Sequence, residues 1–403
     1  MVNDLLAKYN PWWEEDYELL GIPRDAQLQE LDDLLEKRRM VLIYGLRRCG
    51  KTTLMKQLIF SKSRDIPSDH IFYVSLDHPE FEDLSISSVI DRYRSMFRLS
   101  RKEKCYILLD EIQVRNDFER ELKAIFDLEP NLFFVCSGSN SLLIKHRSGA
   151  LAGRHGRIHL SPIGFGEFLK FKDVRIKPSE RYLLDGYLEE YIETGGIPRY
   201  VLSGDPQYIK DLVEDIIYKD IVPRYRIRNP RLLMDLFHLL CQRAGQRMTA
   251  TKLARVLKIS HDTVSNYISY LQETFLVHLV ERNGTPNERT HSPKKVYIAD
   301  QGILSIFAST TPIGSRVENL AYLELSKGGG DLTYLQGEGG EVDFLLDGVA
   351  YEVKYRGSID EADTENIKRL GSDRIRKKVM ITKDQKDLGD IVCIPLKDLV
   401  TDE

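Results

Sequence analysis

The sequence predicts an α/β protein whose first part is a doubly wound parallel sheet. Four short apolar runs there resemble the buried strands of parallel sheets, which are apolar on both faces. Segments with helical spacing separate the runs. A glycine-rich loop follows the first run and an acidic pair ends the third, as expected of a sheet that binds a ligand at its carboxyl edge. The runs cover residues 40–44, 71–77, 105–113 and 132–143.

Length and composition indicate a soluble protein of several domains. At about 100–200 residues per domain, the 403 residues correspond to roughly two to four domains. The net charge of −4 gives no general reason to expect nucleic acid, so any basic surface has to be local. The five cysteines form no CxxC pair and the nine histidines show no metal-ligand spacing, which predicts reduced thiols and no zinc site.

Targeting and membrane signals are not apparent in the sequence. The acidic N-terminus lacks the apolar run of a signal peptide. No stretch approaches the ~18 apolar residues that a membrane helix needs. A cytoplasmic protein without a membrane partner is therefore expected.

The loop after the first run has the pattern G-x-x-x-x-G-K-T, from Gly45 to Thr52. Glycines at these positions let backbone N–H groups surround phosphates at a helix N-terminus, where the helix dipole favours negative charge. Lys51 is expected to reach the β- and γ-phosphates of ATP, and the Thr52 hydroxyl to ligate Mg²⁺. The expected ATP contacts are Gly45, Leu46, Arg47, Arg48, Cys49, Gly50, Lys51, Thr52 and Thr53.

The acidic pair supplies the two further groups that hydrolysis requires. Asp110 is predicted to hold the magnesium with its hydration shell, and Glu111 to orient and polarise the attacking water. Small polar residues end the fourth run, where a sensor of the γ-phosphate would lie. Ser139 is our first candidate, with Ser137 and Asn140 close behind, and a helix N-cap is the structural alternative for each.

An arginine follows in a glycine-rich setting, LAGRHGR at 151–157. Arg154 is predicted to act as an arginine finger, either within its own subunit or toward a neighbouring one. The alternative is a solvated loop arginine. The N-terminal Trp12 and Trp13 either stack on adenine or, as we favour, pack against the core.

These motifs, together with SPIGFGEFL at 161–169 and ETGGIP at 193–198, resemble the AAA+ superfamily. More narrowly, they are similar to the prokaryotic, often archaeal, ATPases that carry a nuclease-like C-terminal domain. The resemblance implies Mg²⁺-dependent ATP hydrolysis and assigns the helical segment at 166–228 to a small lid over the nucleotide. It also makes a homo-oligomer an expectation, although no feature of the sequence specifies a ring.

A helix, a tight turn, a second helix and a strand are predicted over 248–282, with Ser260 as N-cap of the second helix. This order is typical of a winged helix-turn-helix, whose second helix can enter a DNA major groove. Residues 222–262 carry nine Lys or Arg against two Asp, a local charge of +7 that can neutralise phosphates. The alternative is a protein-binding or interdomain module. Expected DNA contacts are Arg224, Arg226, Arg228, Lys252, His261, Ser265 and Asn266.

The segment EVDFLLDGVAYEVKY at 341–355 predicts a hairpin with its turn at Asp347-Gly348. In that register Asp343 opposes Glu352, and these two residues share a face with Glu341 and Lys354. The expected core face carries Val342, Phe344, Leu346, Val349, Tyr351, Val353 and Tyr355. Facing carboxylates require a positive group between them. Lys354 would supply part of that charge, and a bound Mg²⁺ or Mn²⁺ would supply more.

The spacing D-x₈-E-x-K on a hairpin resembles the PD-(D/E)XK nuclease core, which adds a glutamate from a preceding helix, here Glu318. The resemblance implies a metal-dependent nuclease site made of Glu318, Asp343, Glu352 and Lys354. The alternatives are a structural relic of a nuclease and an exposed, solvated hairpin face in which Lys354 pairs with a carboxylate.

The predicted organisation has five segments: an N-terminal linker at 1–30, an AAA+ core at 31–165, the lid at 166–228, the winged helix-turn-helix at 229–290 and the nuclease-like α/β domain at 291–403. The expected function is ATP hydrolysis coupled to binding or processing of double-stranded DNA. Two alternatives stay open, namely a nucleotide-dependent switch or scaffold and an ATP-licensed nuclease.

Overall fold

The chain folds into two compact units, residues 1–161 and 162–403, in a computed structural model. The structure describes residues 2–14, 17–115, 117–139, 151, 153–337, 340–370 and 375–401. Among the helices in these ranges, none combines the length and apolar character that crossing a bilayer requires. All five cysteines are free and buried.

The first unit is a five-stranded parallel sheet with the order β2-β3-β4-β1-β5. Its strands are β1 (Met40–Tyr44), β2 (Ile71–Ser75), β3 (Cys105–Asp110), β4 (Leu132–Gly138) and β5 (His155–His159). Its helices are α1 (Val2–Tyr9), α2 (Asp25–Glu36), α3 (Lys51–Lys62), α4 (Ile86–Phe97) and α5 (Phe118–Leu128), with 3₁₀ turns at Pro11–Trp13, Ser68–His70, Pro79–Phe81 and Ile112–Val114. The doubly wound parallel sheet predicted for this part of the chain is confirmed.

Strand register brings the chemically active residues to one edge of this sheet. Tyr44 lies level with Gly138 on β4 and with His159 on β5, and Asp110 is level with Ser75. The loop after β1 and the acidic end of β3 therefore meet on either side of β4. Ligands of such sheets bind at this carboxyl edge.

The N-terminal segment packs as part of the first unit, although residues 1–30 are predicted to be a linker. The fully buried Asn10 amide donates to the Tyr73 carbonyl at 2.8 Å, and the Asn10 side-chain oxygen accepts from the Tyr73 N–H at 2.7 Å. Both indoles, Trp12 and Trp13, donate to the Ile71 carbonyl at the amino end of β2. The packing alternative for the two tryptophans is therefore the one observed.

The second unit is built on an eight-stranded sheet with the order β13-β12-β11-β10-β9-β7-β8-β6. Its strands are β6 (Arg247–Met248), β7 (Val277–Arg282), β8 (Lys294–Ile298), β9 (Thr333–Gly337), β10 (Gly340–Leu346), β11 (Val349–Lys354), β12 (Lys377–Thr382) and β13 (Val392–Pro395). Strand β8 pairs antiparallel with β6 and with β7, and β12 pairs in parallel with β11 and with β13.

Helices of the second unit fall into three stretches along the chain. The first stretch is α6 (Phe165–Phe171), a 3₁₀ helix (Pro178–Leu183), α7 (Leu184–Thr194), α8 (Pro198–Ser203), α9 (Pro206–Glu214), a π-helix (Asp215–Ile221) and α10 (Val222–Tyr225). The second is α11 (Pro230–Cys241), α12 (Ala250–Leu257), α13 (His261–Glu273) and α14 (Pro286–His291). The third is α15 (Gln301–Phe307), α16 (Ile313–Lys327), α17 (Glu361–Lys368) and α18 (Leu396–Thr401).

The predicted helix-turn-helix segment folds as α12, α13 and strand β7. The Ser260 side chain accepts a hydrogen bond from the Thr263 N–H, so the predicted N-cap is confirmed. Buried side chains at helical spacing form the local core: Leu253, Ala254, Val264, Tyr267, Ile268 and Leu271. Because β6, β7 and β8 join the sheet that holds β9 to β13, the eight-stranded sheet contains strands from both sides of the predicted boundary at residue 290. The finer division into domains stays a prediction.

A buried carboxylate, Asp300, joins the turn before α15 to the ETGGIP segment. Asp300 caps α15 by accepting from the Ile303 N–H at 3.1 Å and reaches across to the Gly196 N–H at 2.6 Å. A side chain on Gly195 would collide with Asp300, and one on Gly196 would collide with the Ile163 carbonyl. The glycine pair of ETGGIP is therefore required by close packing of SPIGFGEFL and the turn before α15.

We expect Asp300→Ala to destabilise the second unit by about 2–4 kcal/mol, since it removes an N-cap and leaves a buried N–H without an acceptor. Burial raises the pKa of Asp300 to about 6, above its usual value of 3.8. The pH-dependent part of its contribution to stability is thus complete below about pH 4 and is lost as the pH rises through about 6.

Urea unfolding followed by circular dichroism at pH 4.5 and 7.5 would measure this effect. The part of the pH dependence that Asp300 causes should disappear in Asp300→Asn. Both tryptophans lie in the first unit, so their fluorescence provides an internal control that the substitution should leave unchanged. An equal pH dependence in wild type and Asp300→Asn would contradict the assignment.

Candidate functional site

The loop after β1 has the conformation of a phosphate cradle. Gly45 and Gly50 have φ angles of +152° and +106°, in the region that favours glycine. A side chain on Gly45 would collide with the Leu160 carbonyl. The Cys49 thiol donates to the same carbonyl at 3.1 Å and holds the loop against the end of β5. Helix α3 begins directly after Gly50, so its N-terminus points into the cradle.

Lys51 lies inside the loop. Its side chain is 5% exposed, and its ammonium donates to the Gly45 carbonyl at 3.0 Å and the Leu46 carbonyl at 2.9 Å. The charge is therefore held inside the loop, against two of its carbonyl groups. A lysine in this position binds β- and γ-phosphates as a point charge.

Asp110 is held by hydroxyl groups from three different elements. The Thr52 hydroxyl donates to Oδ2 at 2.6 Å and the Tyr73 hydroxyl donates to the same oxygen at 2.9 Å. The Ser137 hydroxyl donates to Oδ1, which also accepts from the Glu111 N–H at 3.1 Å. Thr52 and Asp110 thus place two oxygen ligands side by side beside the cradle, a donor set that fits Mg²⁺.

Glu111 follows Asp110 in a left-handed conformation with a φ of 53°, which turns its side chain away from the strand direction. The Gln113 amide donates to Glu111 Oε2. Burial raises the pKa of Glu111, and Lys51 opposes this shift. A half-buried carboxylate of raised basicity beside the cradle suits a group that accepts a hydrogen bond from an attacking water.

The γ-phosphate sensor candidates that the structure describes lie at the opposite edge of the sheet from the arginine finger candidate. Ser137 contacts Asp110, Ser139 directly follows β4, and Asn140 lies outside the described residues. Arg154 precedes β5, where its carbonyl accepts from the Met40 N–H. That is the amino edge of the sheet, opposite the phosphate cradle, and there the guanidinium pairs with Asp127 at 2.8 Å. A finger role within the same subunit is therefore wrong in this structure, and a role toward a neighbouring subunit stays a prediction.

Tyr73 is a site residue that the sequence analysis missed. Its hydroxyl reaches Asp110 from the neighbouring strand β2, and Lys56 lies 4.9 Å from the centre of its ring. The only available signal was a tyrosine in the middle of a run expected to be wholly apolar. Recognising it required the knowledge that β2 lies beside β3.

The predicted DNA-contacting residues lie on the second unit. Arg224, Arg226 and Arg228 are exposed. Between them, Tyr225 stacks on Tyr270 of α13 with ring centres 3.7 Å apart, so the arginine segment is docked against the helix-turn-helix. Lys252, His261 and Asn266 are also exposed, and Ser265 is half-buried. Arg247, which contributes to the local charge, is neutralised by Glu341 at 2.8 Å.

The hairpin has the predicted register near its turn. Phe344 pairs with Tyr351 and Leu346 with Val349, and Asp347 and Gly348 both have positive φ. A bulge in β10, at which the pairing with β9 shifts by one residue, interrupts the alternation after Val342. Val342 consequently packs in one core cluster with Ala350, whereas Phe344 packs in the other with Val353. The expectation that Val342 and Phe344 share a face is wrong for this reason.

Lys295 on β8 is the second residue that the sequence analysis missed. Its ammonium contacts Asp343 at 2.7 Å, Glu318 at 2.9 Å and Glu341 at 2.9 Å, and its side chain is 1% exposed. Burial opposes the charge, but Asp343, Glu318 and Glu341 together raise the pKa of Lys295 well above its usual value. The sequence contains no local signal for this contact, because Lys295 is far from the hairpin along the chain.

Glu352 and Lys354 form a separate ion pair on β11, in which the ammonium donates to Glu352 Oε1 at 2.5 Å. The second oxygen of Glu352 is buried without a hydrogen-bond partner. Burial, followed by the charge of Asp343, raises the pKa of Glu352 to about 7 and that of Glu318 to about 8. The four predicted nuclease residues thus divide into two ion-paired groups.

These residues do not fit the second metal that was expected. Asp343 Oδ1 accepts from the Lys295 ammonium and Oδ2 accepts from the Val353 N–H at 2.9 Å, so a positive group of the chain already lies where a metal ion would bind. Glu318 Oε1 accepts from Lys295 and from the Tyr297 hydroxyl at 2.8 Å. As the side chains lie in the described ranges, with Lys295 in place, no group of three or more His, Cys, Asp or Glu could hold a metal ion.

Family comparisons support the assignment of the first site. Residues 37–169 match the family model described as AAA domain, which supports an AAA+ P-loop nucleotide-binding fold in this part of the chain. Residues 185–313 match a model described as a domain of unknown function, DUF8612.

Similar proteins occur in archaea and bacteria. An uncharacterized protein of Methanocaldococcus jannaschii is 29% identical over 398 residues, covering 91% of this chain and 88% of the relative. An uncharacterized protein of Haemophilus influenzae is 26% identical over 380 residues, covering 90% and 93%. A Walker-type ATPase of Pyrococcus abyssi is similar in structure with a TM-score of 0.46 and 17% identity, covering 73% of this chain and 99% of that one. At these values the structural likeness carries no inference about function.

Proposed function

We propose that this chain is a Mg²⁺-dependent ATPase of the AAA+ type, in which ATP binding and hydrolysis by the first unit drive the binding or processing of DNA by the second. The observation that carries the proposal is the 2.6 Å contact between Thr52 Oγ1 and Asp110 Oδ2 beside the cradle that contains Lys51. Three groups with distinct roles in phosphoryl transfer, Lys51, Asp110 and Glu111, lie at one edge of one sheet.

The proposed roles follow from these positions. Lys51 and the loop N–H groups bind the phosphates, and Thr52 with Asp110 would hold Mg²⁺, which when bound neutralises charge on the phosphate oxygens. Tyr73 and Ser137 keep the Asp110 carboxylate oriented through their hydroxyls. Glu111 orients the water that attacks the γ-phosphate. Ser139 stays the first candidate for a γ-phosphate sensor.

DNA is the proposed partner because of the exposed arginines at the helix-turn-helix. The Tyr225–Tyr270 stack fixes Arg224 and Arg226 beside α13, and such a surface binds phosphates at any sequence. The winged helix-turn-helix, the lid over 166–228, a homo-oligomer and a cytoplasmic location belong to the same proposal. The competing function is a nucleotide-dependent switch or scaffold that uses the second unit to hold protein partners.

ATP hydrolysis with and without double-stranded DNA, at low and moderate salt, tests the proposal. Stimulation by DNA that is absent in Glu111→Gln supports a DNA-dependent ATPase. Hydrolysis without stimulation at either salt favours the switch and directs the search to protein partners. Failure of the purified chain to hydrolyse ATP under any of these conditions would overturn the proposal.

Charge reversal of Arg224, Arg226 and Arg228 to Glu should weaken DNA binding and make it less sensitive to salt. Each phosphate contact contributes about 0.9 to the slope of log K against log salt, so the slope should fall by roughly 2 to 3. Fluorescence anisotropy with a labelled duplex across a salt series gives both quantities.

The matched control is reversal of Lys170, Arg175 and Lys177, which are equally exposed cations on the same unit. If both triple variants lose affinity to the same extent, the arginine segment has no special role. If the slope of the arginine variant equals that of wild type, these side chains do not contact phosphates.

A further inference from the structure

The cluster around Lys295 has the arrangement of a cation site whose cation is supplied by the chain itself. Three carboxylates from two elements, Glu318 of α16 and Glu341 and Asp343 of β10, converge on the Lys295 ammonium within 2.9 Å. Lys295 comes from a third element, strand β8, and its side chain is 1% exposed. Converging carboxylates without a cation between them would repel one another strongly in a buried site.

The Lys295 ammonium occupies the position that a divalent ion would need among these carboxylates. A hard cation requires several carboxylate oxygens at 2.0–2.6 Å in typical magnesium or calcium sites. Here those oxygens face Lys295, and the remaining oxygen of Asp343 faces the Val353 N–H. Glu352, which a shared metal would draw toward Asp343, pairs with Lys354 instead.

We propose that the Lys295 ammonium takes the place of a catalytic metal, so that the nuclease-like part of the second unit is a metal-independent structural module that does not cut DNA. The Lys295 contacts connect β8, which pairs with the strands of the helix-turn-helix, to α16 and β10. Arg247 of β6 contacts Glu341 of β10 and so adds a second link between the helix-turn-helix strands and the hairpin. The cluster thus stabilises the eight-stranded sheet with a fixed positive charge.

Mn²⁺ binding to the full-length chain tests the proposal. Titration calorimetry and Mn²⁺ electron paramagnetic resonance would be done without nucleotide, in an Asp110→Asn background that removes the site beside the phosphate cradle. The expected result is no saturable Mn²⁺ site in this background. Adding Lys295→Met, which keeps the volume and removes the charge, should create a saturable site, because the three carboxylates lose their cation.

A thermal-shift experiment provides the second measurement. Mn²⁺ should raise the Tm of the Lys295→Met chain by about 5–10 °C at about a hundredfold excess over the dissociation constant. It should leave the Tm of the parent chain unchanged. A folded Lys295→Met chain that binds no Mn²⁺ would overturn the assignment of Lys295 to a metal position.

Measurements on the chain with Lys295 intact also test the proposal, even if Lys295→Met does not fold. Saturable Mn²⁺ binding that is lost in Asp343→Asn would overturn the proposal. So would Mn²⁺-dependent plasmid nicking that is lost in Glu352→Ala. ATP hydrolysis is measured separately on the chain with native Asp110, so failure of the proposed ATPase function and failure of this inference give distinguishable results.

Discussion

Replacement of Glu111 by Gln is expected to lower the rate of ATP hydrolysis by roughly 10²–10⁴-fold, the range found when a general acid–base group is removed. The amide has nearly the same shape but cannot accept a proton or polarise a water as strongly as a carboxylate. Since Lys51, Thr52 and the loop backbone are unchanged, ATP binding should stay within a few-fold of wild type. Steady-state turnover and binding of a fluorescent ATP analogue measure the two quantities.

Two variants on helix α3 serve as controls for this measurement. Lys51→Ala should lose both binding and turnover, because it removes the charge inside the phosphate cradle. Lys62→Ala, at the other end of the same helix and paired with Asp32 at 2.8 Å, should change neither. Turnover in Glu111→Gln close to that of wild type would exclude Glu111 as the water-orienting group and with it the proposed mechanism.

Replacement of Lys295 by Ala is expected to lower the free energy of unfolding of the second unit by about 3–5 kcal/mol, the usual cost of leaving buried charges without their partner. The neighbouring Lys294 is the matched control, because its ammonium contacts Glu281 near the surface. Lys294→Ala should cost only about 0–1 kcal/mol, as exposed ion pairs do. Urea unfolding of the full chain, followed by circular dichroism, gives both values, with tryptophan fluorescence reporting the first unit alone.

A compensating variant separates loss of charge from loss of packing. If unpaired carboxylates cause the instability, adding Glu318→Gln and Asp343→Asn to Lys295→Ala should restore part of the lost stability. A triple variant no more stable than Lys295→Ala would assign the loss to packing of the lysine chain. If Lys294→Ala and Lys295→Ala lower the free energy of unfolding equally, the buried Lys295 contacts contribute no more to stability than a surface ion pair.

Much of the first site was predictable because it depends on local patterns. The strand at Met40–Tyr44, the loop that follows it and the acidic end of β3 occur where the sequence predicts them. Each of these features requires only residues that are close in the chain, namely an apolar run, glycines at positive φ and a carboxylate at a strand end. The same holds for the Ser260 cap and for the hairpin turn at Asp347-Gly348.

The errors occurred where distant segments meet. Arg154 follows the γ-phosphate sensor candidates in the sequence, but it lies just before β5, at the amino edge of the sheet, which places it beside Asp127. The alternation assumed for the hairpin failed because a single extra residue in β10 moves Val342 to the other core cluster. A bulge has no reliable signature in one sequence, since it depends on the register with a neighbouring strand.

The sequence by itself determined the elements, the phosphate loop and the types of residue available for chemistry, because these follow from backbone conformation and short-range periodicity. Only the tertiary structure decided which polar side chains share a site. Tyr73 reaches Asp110 because β2 lies beside β3, and Lys295 reaches Asp343 because β8 and β10 belong to one sheet. Strand order brings distant charges within 3 Å of each other, and at that distance in a buried setting electrostatics selects which group fills the acidic cluster.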